Sequence, residues 1–142
     1  CLDLADVLCH NFYYGWYTLS GDLPAAEKML GETLDEIHKK FPDKPIIVTE
    51  FGADAIDGVH KDPPEMWSEE YQAELIKTYW KVFLSKDYVV GGHVWNFADF
   101  KVGQSTGRTT LNRKGIFTRT RDPKASVKTV KELFSNTPTY RQ

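Results

Sequence analysis

The sequence predicts an α/β fold built on parallel strands, and three observations support this class. A short apolar run occurs three times, and each run leads into a loop rich in glycine, aromatic and polar residues. Each loop then leads into a stretch with helical periodicity. The apolar runs are nearly continuous, as strands covered on both faces require. We therefore expect three strand, loop and helix units.

The first unit begins with the run from Asp6 to Asn11 and continues through an aromatic loop from Phe12 to Gly21. Asp22 is the expected N-cap of the following helix, with Pro24 in its first turn. Apolar residues then recur at helical spacing and predict one buried stripe. The stripe consists of Leu23, Ala26, Leu30, Leu34, Ile37 and Phe41.

The second unit has its strand from Pro45 to Glu50 and a loop that extends to Trp67. Its helix is expected to begin near Ser68, where Glu69 and Glu70 suit the positive end of the helix dipole. The predicted core stripe of this helix is Tyr71, Leu75, Thr78 or Tyr79, Val82 and Phe83.

The third unit has its strand from Tyr88 to Trp95, followed by a long loop that extends to Arg121. We expect Asp122 to cap the last helix, with Pro123 directly behind it. The predicted buried face of this helix is Val127, Val130, Leu133 and Phe134.

The three loops distinguish between two parallel architectures. A doubly wound nucleotide-binding fold would carry a glycine-rich phosphate loop directly before a helix, and none of the loops has that form. In a barrel the catalytic groups gather where the strands end, and each strand end here carries large polar or aromatic residues. We therefore predict a (β/α)₈ barrel. Because such a barrel needs about 250 residues, this chain of 142 residues is expected to be its incomplete C-terminal part.

Composition excludes several classes of function. The net charge is -2 with acids and bases interspersed, and no run approaches the length of a membrane span, so we expect neither nucleic-acid nor membrane binding. The chain opens at Cys1 without a basic and apolar leader, as if cut from a longer cytoplasmic polypeptide. Cys1 and Cys9 are expected to be reduced thiols. The four histidines lack metal-ligand spacing, so we predict no metal and no cofactor.

Glu50 is the strongest candidate for a catalytic residue. It directly follows a buried β-branched run, at the position where a barrel strand meets the active-site mouth. The next residues, 51–54, include small and turn-prone types, so the backbone can bend and leave the carboxylate facing the cavity. The alternative is an ordinary loop acid just past a strand. We interpret Glu50 as a catalytic carboxylate.

Aromatic and amide side chains follow the first and third strands. Asn11, Tyr13 and Tyr17 can donate hydrogen bonds to a carboxylate or to sugar hydroxyls, whereas the stretch 13–17 could instead be a lid that packs on its own loop. Trp95 offers a flat apolar face that suits the C–H face of a sugar, although a buried core tryptophan would fit its position equally well.

The loop before the last helix carries groups suited to an anion. Its segment 108–115 contains three cations and an amide, among them Arg108, Asn112 and Lys114. In an extended segment Asn112 and Lys114 would point the same way and could converge on one carboxylate. Such a charge-assisted hydrogen bond contributes about 1.5 to 3 kcal/mol, enough to select an acidic sugar roughly tenfold to a hundredfold. A solvated charged loop is the alternative.

Five stretches together resemble the β-glucuronidases of glycoside hydrolase family 2, over essentially the whole chain. These stretches are Asn11 with 13–17, then 49–53, 66–72, 94–100 and 112–119. The resemblance implies that the three units are the sixth, seventh and eighth of the barrel, and that Glu50 is the nucleophile at the end of the seventh strand. It also implies that Asn112 and Lys114 contact the carboxylate of a uronic acid. The other implied substrate-contacting or neighbouring positions are Asn11, Tyr13, Tyr17, Trp95 and Arg108.

The resemblance also indicates what this chain lacks. The acid/base glutamate of that family follows an asparagine, and no Asn-Glu pair occurs in this sequence. We therefore expect the upstream part of the same enzyme to be a partner, with glucuronides as substrates and a homo-oligomeric assembly. Two alternatives remain open at this point. One is a related glycosidase that acts on galacturonides or β-galactosides, and the other is a barrel that binds sugars without catalysis.

Overall fold

The computed structural model describes residues 2–104, 108 and 110–138, and its centre is a sheet of three parallel strands. The strands lie side by side in chain order and alternate with helices, which confirms the predicted α/β class. The strands are β1 (Leu8–Asn11), β2 (Ile46–Phe51) and β3 (Val89–Val94). The helices are α1 (Leu23–Lys40), α2 (Glu69–Leu84) and α3 (Ser126–Asn136), and a 3₁₀ turn (Leu2–Leu4) precedes β1.

A short antiparallel pair in the loop after β3 was not predicted. It joins β4 (Phe100–Lys101) to β5 (Leu111–Asn112), with Phe100 opposite Asn112. Strands of two residues carry too little alternation to be detected in a sequence. This pair folds the long loop back on itself, so that the segment after β5 returns toward the strand ends.

The core lies between the sheet and the helices. From α1, Ala26, Leu30 and Leu34 are fully buried, and the rest of the predicted stripe packs partly buried against them. Of the two alternatives predicted for the stripe of α2, Tyr79 is buried and Thr78 is not. The ring of Tyr79 stacks on Phe51 of β2 at 5.3 Å. Burying one large apolar side chain contributes about 1.5 to 3 kcal/mol, so this layer fixes how the helices sit on the sheet.

The predicted cap of α1 and the predicted start of α2 near Ser68 are confirmed. Asp22 Oδ1 accepts the N–H of Ala25 at 3.0 Å, and Ser68 Oγ accepts the N–H of Tyr71 at 3.1 Å. These side chains satisfy backbone donors that the first helical turn leaves free.

The predicted cap of α3 is wrong. The Asp122 carboxylate instead accepts the hydroxyls of Thr118 and Thr120, and α3 begins four residues later, at Ser126. Ala125 occupies the cap position, and its N–H is bound by the carboxylate of Glu69 from α2 at 2.6 Å. The capping group therefore comes from a residue distant in sequence.

Phe134 is also not buried as predicted, since 47% of its surface is exposed. The helix faces the core through Ser126, Thr129 and Val130, while Val127 and Leu133 pack partly buried beside them. Phe134 lies at the border of this face, where its ring contacts Trp80 at a centroid distance of 4.9 Å.

The carboxyl ends of the three strands meet at one edge of the sheet. The N–H of Phe12 donates to the carbonyl of Glu50 at 2.9 Å, and the N–H of Trp95 donates to that of Phe51 at 2.8 Å. At Gly52 a side chain would collide with the carbonyl oxygen of Trp95, so only glycine permits this close approach of the two chains. The predicted site residues therefore start from neighbouring backbone positions.

Two further predictions concern properties outside the sheet. Cys9 is a free, exposed thiol, while Cys1 lies outside the described residues. None of the described helices has the length and apolarity that crossing a bilayer requires.

Candidate active site

The carboxylate of Glu50 is held by a phenol from the neighbouring loop. Tyr13 donates its hydroxyl to Glu50 Oε2 at 2.6 Å, across 37 residues of sequence. Burial, together with this hydrogen bond to the carboxylate, raises the pKa of Tyr13 well above its ordinary value, so its phenol keeps the proton at neutral pH. Tyr13 therefore acts as a fixed donor to Glu50.

An irregularity in strand pairing changes the direction of the chain at Glu50. The register passes from His10 opposite Val48 to Asn11 opposite Glu50, so Thr49 is the extra residue of β2. Such bulges re-aim side chains at the rims of sheets. The backbone of the predicted site residue Asn11 is paired with Glu50. Its side chain, however, binds the neighbouring residue, because the Thr49 hydroxyl donates to Asn11 Oδ1 at 2.7 Å.

The ammonium group of Lys114 lies in an enclosed aromatic and acidic environment. Its side chain is fully buried and forms an ion pair with Asp54. Lys114 Nζ also lies 4.7 Å from the ring centroids of Trp16 and Tyr17 and 5.7 Å from that of Tyr13. Rings at these distances attract a cation through their π faces. Tyr13 thus contacts both Glu50 and Lys114.

Asn112 is buried next to Lys114, and its amide orientation follows from its hydrogen bond. Asn112 Oδ1 accepts the backbone N–H of Lys114 at 3.0 Å. The oxygen is therefore assigned, and the Nδ2 group remains as the donor of this side chain. The predicted convergence of Asn112 and Lys114 on one carboxylate stays a prediction, since in this structure the two side chains bind different partners.

Tyr17 and Arg108 lie at the outer side of the same group. Arg108 donates to the hydroxyl of Tyr17 at 2.6 Å, and the ring of Tyr17, which is 56% exposed, lies 5.1 Å from that of Tyr13. A cavity of about 300 Å³ adjoins them. Its lining residues are Asp54, Ile56, Trp67, Arg108, Leu111 and Arg113.

Trp95 is close to the site through its backbone, whereas its side chain has a different neighbour. Its N–H and carbonyl meet the end of β2, as described above, and its ring lies edge-on to Phe100 at 6.1 Å. The ring is partly exposed, so Trp95 is not a buried core tryptophan. Its role toward a sugar stays a prediction.

A second buried ion pair supports the loops behind the site. Lys124 Nζ donates to Asp99 Oδ1 at 2.9 Å and to the carbonyls of Ala55 and Arg113 at 2.8 and 3.0 Å. Burial lowers the pKa of Lys124 and raises that of Asp99. Their contact with each other acts against both shifts but does not cancel them. Asp99 also accepts the N–H of Gly115 at 3.0 Å, so the pair fixes the segment that carries Lys114.

Side chains of helix α2 form hydrogen bonds with the loops that follow β1, β2 and β3. The hydroxyls of Tyr71 and Tyr79 donate to the carbonyls of Gly15 and Tyr14 in the aromatic loop at 2.5 and 2.8 Å. The amide nitrogen of Gln72 donates to the carbonyls of Ala53, Lys114 and Gly115 at 2.9, 3.3 and 3.2 Å. Its oxygen accepts the hydroxyl of Ser126 at 2.6 Å.

Sequence reasoning missed two residues of this group, Asp54 and Trp16. In the sequence Asp54 stands out only as a turn-prone residue after Glu50, and Trp16 only as part of the aromatic stretch. Their positions at the strand ends were a usable signal, because side chains that follow barrel strands gather at the mouth. Within residues 2–104, 108 and 110–138, no three potential ligands cluster as a metal site would require.

Known proteins of similar sequence and structure share this arrangement of elements. The β-glucuronidase of Paenibacillus borealis is 45% identical over 135 residues, which cover 95% of this chain and 22% of that protein. The β-D-glucuronidase of Dictyoglomus thermophilum superposes with a TM-score of 0.93 at 50% identity, covering 97% of this chain and 24% of that one. The Ruminococcus gnavus β-glucuronidase in complex with D-glucuronic acid superposes with a TM-score of 0.88 at 41% identity, which covers 94% of this chain and 23% of that one.

The chain spans less than a quarter of the length of these relatives. The family described as glycosyl hydrolases family 2, TIM barrel domain, matches residues 2–138, nearly the whole sequence. The strand and helix alternation, the parallel sheet and the polar strand ends agree with that match. The chain therefore belongs to glycosyl hydrolase family 2 and is part of its TIM barrel domain.

Proposed function

We propose that this chain supplies the nucleophile and the uronate-binding groups of an enzyme that hydrolyses β-D-glucuronides with retention of configuration. The observation that carries this proposal is the contact of one phenol, that of Tyr13, with both the Glu50 carboxylate and the Lys114 ammonium. The carboxylate proposed as nucleophile binds the hydroxyl of this ring, and the buried cation lies 5.7 Å from its centroid. In this proposal the three units are the sixth to eighth of the barrel.

Glu50 takes the nucleophilic role because it lies at a strand end and accepts a hydrogen bond from a phenol that keeps its proton. A retaining glycosidase places two carboxyl groups about 5 to 5.5 Å apart, and one of them attacks the anomeric carbon. The other protonates the leaving oxygen and later activates water. We propose that the upstream part of the same enzyme contributes this second group and closes the barrel.

Lys114 and Asn112 take the role of recognising the sugar carboxylate. An ammonium has three N–H groups, and among the described residues Asp54 is the one hydrogen-bond acceptor of Lys114 Nζ. In this proposal the other two N–H groups of Lys114 and the Nδ2 group of Asn112 bind the sugar carboxylate. A neutral galactoside offers no charge to a buried cation, which favours a uronic acid. The names of the similar proteins, all β-glucuronidases, support the same substrate class.

The nucleophile can be tested in a complete barrel. We define the chimeric barrel as this chain joined to the upstream part of the Dictyoglomus thermophilum enzyme, with which it superposes at 50% identity. A 2-deoxy-2-fluoro glucuronyl fluoride traps the covalent intermediate, and peptide mapping by mass spectrometry locates the label. We expect the label on Glu50, and we expect Glu50→Gln to lower kcat by about a thousandfold or more.

Glu65→Gln is the matched control, because Glu65 is an exposed glutamate in the loop after β2. This variant should keep the wild-type rate and the label on Glu50. A label on any other residue would refute the assignment of the nucleophile. A product of inverted configuration, observed by NMR during turnover, would refute the retaining mechanism.

A further inference from the structure

We propose that Asp54 is a positioning residue that aims the ammonium of Lys114 at the carboxylate of the substrate, an inference that rests on the proposed function. Asp54 is only 3% exposed, and both of its oxygens are engaged. Oδ1 accepts the backbone N–H of Arg113 at 2.8 Å, and Oδ2 binds Lys114 Nζ. One carboxylate thus holds the backbone of the loop and the head of its lysine together.

The aromatic rings alone do not fix the direction of the ammonium. Trp16, Tyr17 and Tyr13 surround Lys114 Nζ at 4.7 to 5.7 Å, and a π face attracts a cation without selecting the direction of a single N–H bond. The carboxylate of Asp54 is a directional acceptor. It therefore determines which way the two remaining N–H groups of Lys114 point.

The backbone of the segment is fixed by the same set of residues. The N–H of Arg113 is bound by Asp54, and the N–H of Lys114 is bound by the side chain of Asn112. Two successive backbone donors are thus bound by side chains, which restrains the conformation of the segment. Misplacement of a binding group by about 1 Å can cost a hundredfold in rate, so this support is expected to affect substrate discrimination.

The variant Asp54→Asn tests the proposal, because an amide has one acceptor oxygen where a carboxylate has two. Arg113 and Lys114 bind different oxygens of Asp54, so asparagine in the same orientation keeps an acceptor for one of them and turns an NH₂ group toward the other. The assay measures kcat and KM of the chimeric barrel with 4-nitrophenyl β-D-glucuronide and 4-nitrophenyl β-D-glucoside, which differ only at C6. The ratio of the two kcat/KM values is the uronate preference.

We expect Asp54→Asn to lower the uronate preference by about tenfold or more, mainly through a higher KM for the glucuronide. Turnover of the glucoside should change by less than about threefold. The control Asp57→Asn lies three residues further along the same loop and is exposed, so the preference should not change. Equal losses for both substrates would show a merely structural role and overturn the proposal.

A double-mutant cycle separates action through Lys114 from other effects. We expect Lys114→Met to abolish the preference, so adding Asp54→Asn to it should change the preference by less than about twofold. The double variant also removes both buried charges, so it stays informative if Asp54→Asn alone does not fold. A further loss of preference in the double variant would overturn the proposal.

The outcomes also separate this inference from the function on which it rests. A wild-type chimeric barrel that hydrolyses the glucoside as fast as the glucuronide would refute uronate recognition itself. A wild-type preference for the glucuronide that Asp54→Asn leaves unchanged would refute only the role of Asp54.

Discussion

Replacing Lys124 with methionine removes a buried ammonium that connects three parts of the fold. Its three N–H groups are all used, by Asp99 at 2.9 Å and by the carbonyls of Ala55 and Arg113 at 2.8 and 3.0 Å. Lys124 and Asp99 are 2% and 4% exposed, so solvent cannot replace these contacts. Methionine fills a similar volume without charge, which isolates the ion pair from the packing.

The expected loss of folding stability depends on the hydrogen bonds and the charge that Asp99 keeps after the substitution. Removing one partner of a buried ion pair costs about 3 to 5 kcal/mol, because the other charge is left without a partner. Asp99 keeps one donor, the N–H of Gly115 at 3.0 Å, and burial already raises its pKa, so part of the charge can be lost by protonation. We therefore expect the lower end, about 3 kcal/mol. For a barrel of about 250 residues the shift is about 2 °C per kcal/mol, so the Tm should fall by roughly 6 °C.

Thermal unfolding of the chimeric barrel at pH 7, followed by circular dichroism, measures this change. Lys128→Met is the matched control, since Lys128 is an exposed lysine of α3 and its loss should leave the Tm unchanged. Adding Asp99→Asn to Lys124→Met removes the unpaired charge and keeps an acceptor for the N–H of Gly115, so it should restore more than half of the loss. A fall in Tm of less than about 2 °C for Lys124→Met, or a double variant no more stable than the single one, would refute the reasoning.

Two further predictions concern pH and packing. A hydrogen bond with the Glu70 carboxylate raises the pKa of His60. The contribution of this pair to folding stability is therefore fully present below the ordinary histidine pKa of about 6.5, and it is lost as the pH rises through the raised value. Tm measured against pH should fall over this window in the wild type, and His60→Gln should flatten that slope; an equal slope in both would contradict the assignment. Gly92→Ala places a Cβ 2.8 Å from the ring of Phe83 and should destabilise by about 1 to 3 kcal/mol in urea unfolding, whereas Gly31→Ala, with open space in α1, should be neutral or stabilising. Equal effects of the two glycine substitutions would contradict the packing argument.

Most of the fold could be predicted because its signals are local. The alternation of apolar runs and helical stripes predicted the three strands and three helices. Asp22 was predicted as a cap, and the start of α2 near Ser68 was predicted, because the residues that mark these helix starts lie within a few positions of them. The placement of Glu50 and Tyr13 at neighbouring strand ends follows from the parallel order of the strands. Their hydrogen bond, however, depends on a register shift that no local pattern encodes.

The remaining features depend on contacts between distant residues. Glu69 caps α3 from 56 residues away, so the nearby Asp122 was the wrong prediction. Asp54 meets Lys114 across 60 residues, and a single sequence offers no periodicity from which such a pair can be read. Phe134 was predicted as buried because helical spacing defines a stripe but not the width of the contact.

The hydrogen bonds from α2 to the loops have a consequence for which residues those loops can carry. Tyr71, Tyr79 and Gln72 all donate to main-chain carbonyls of the loops and not to their side chains. Every residue type carries that carbonyl, so the loops can exchange their side chains while the frame that holds them is unchanged. The anchoring of the loops by α2 therefore does not depend on which side chains the anchored residues carry.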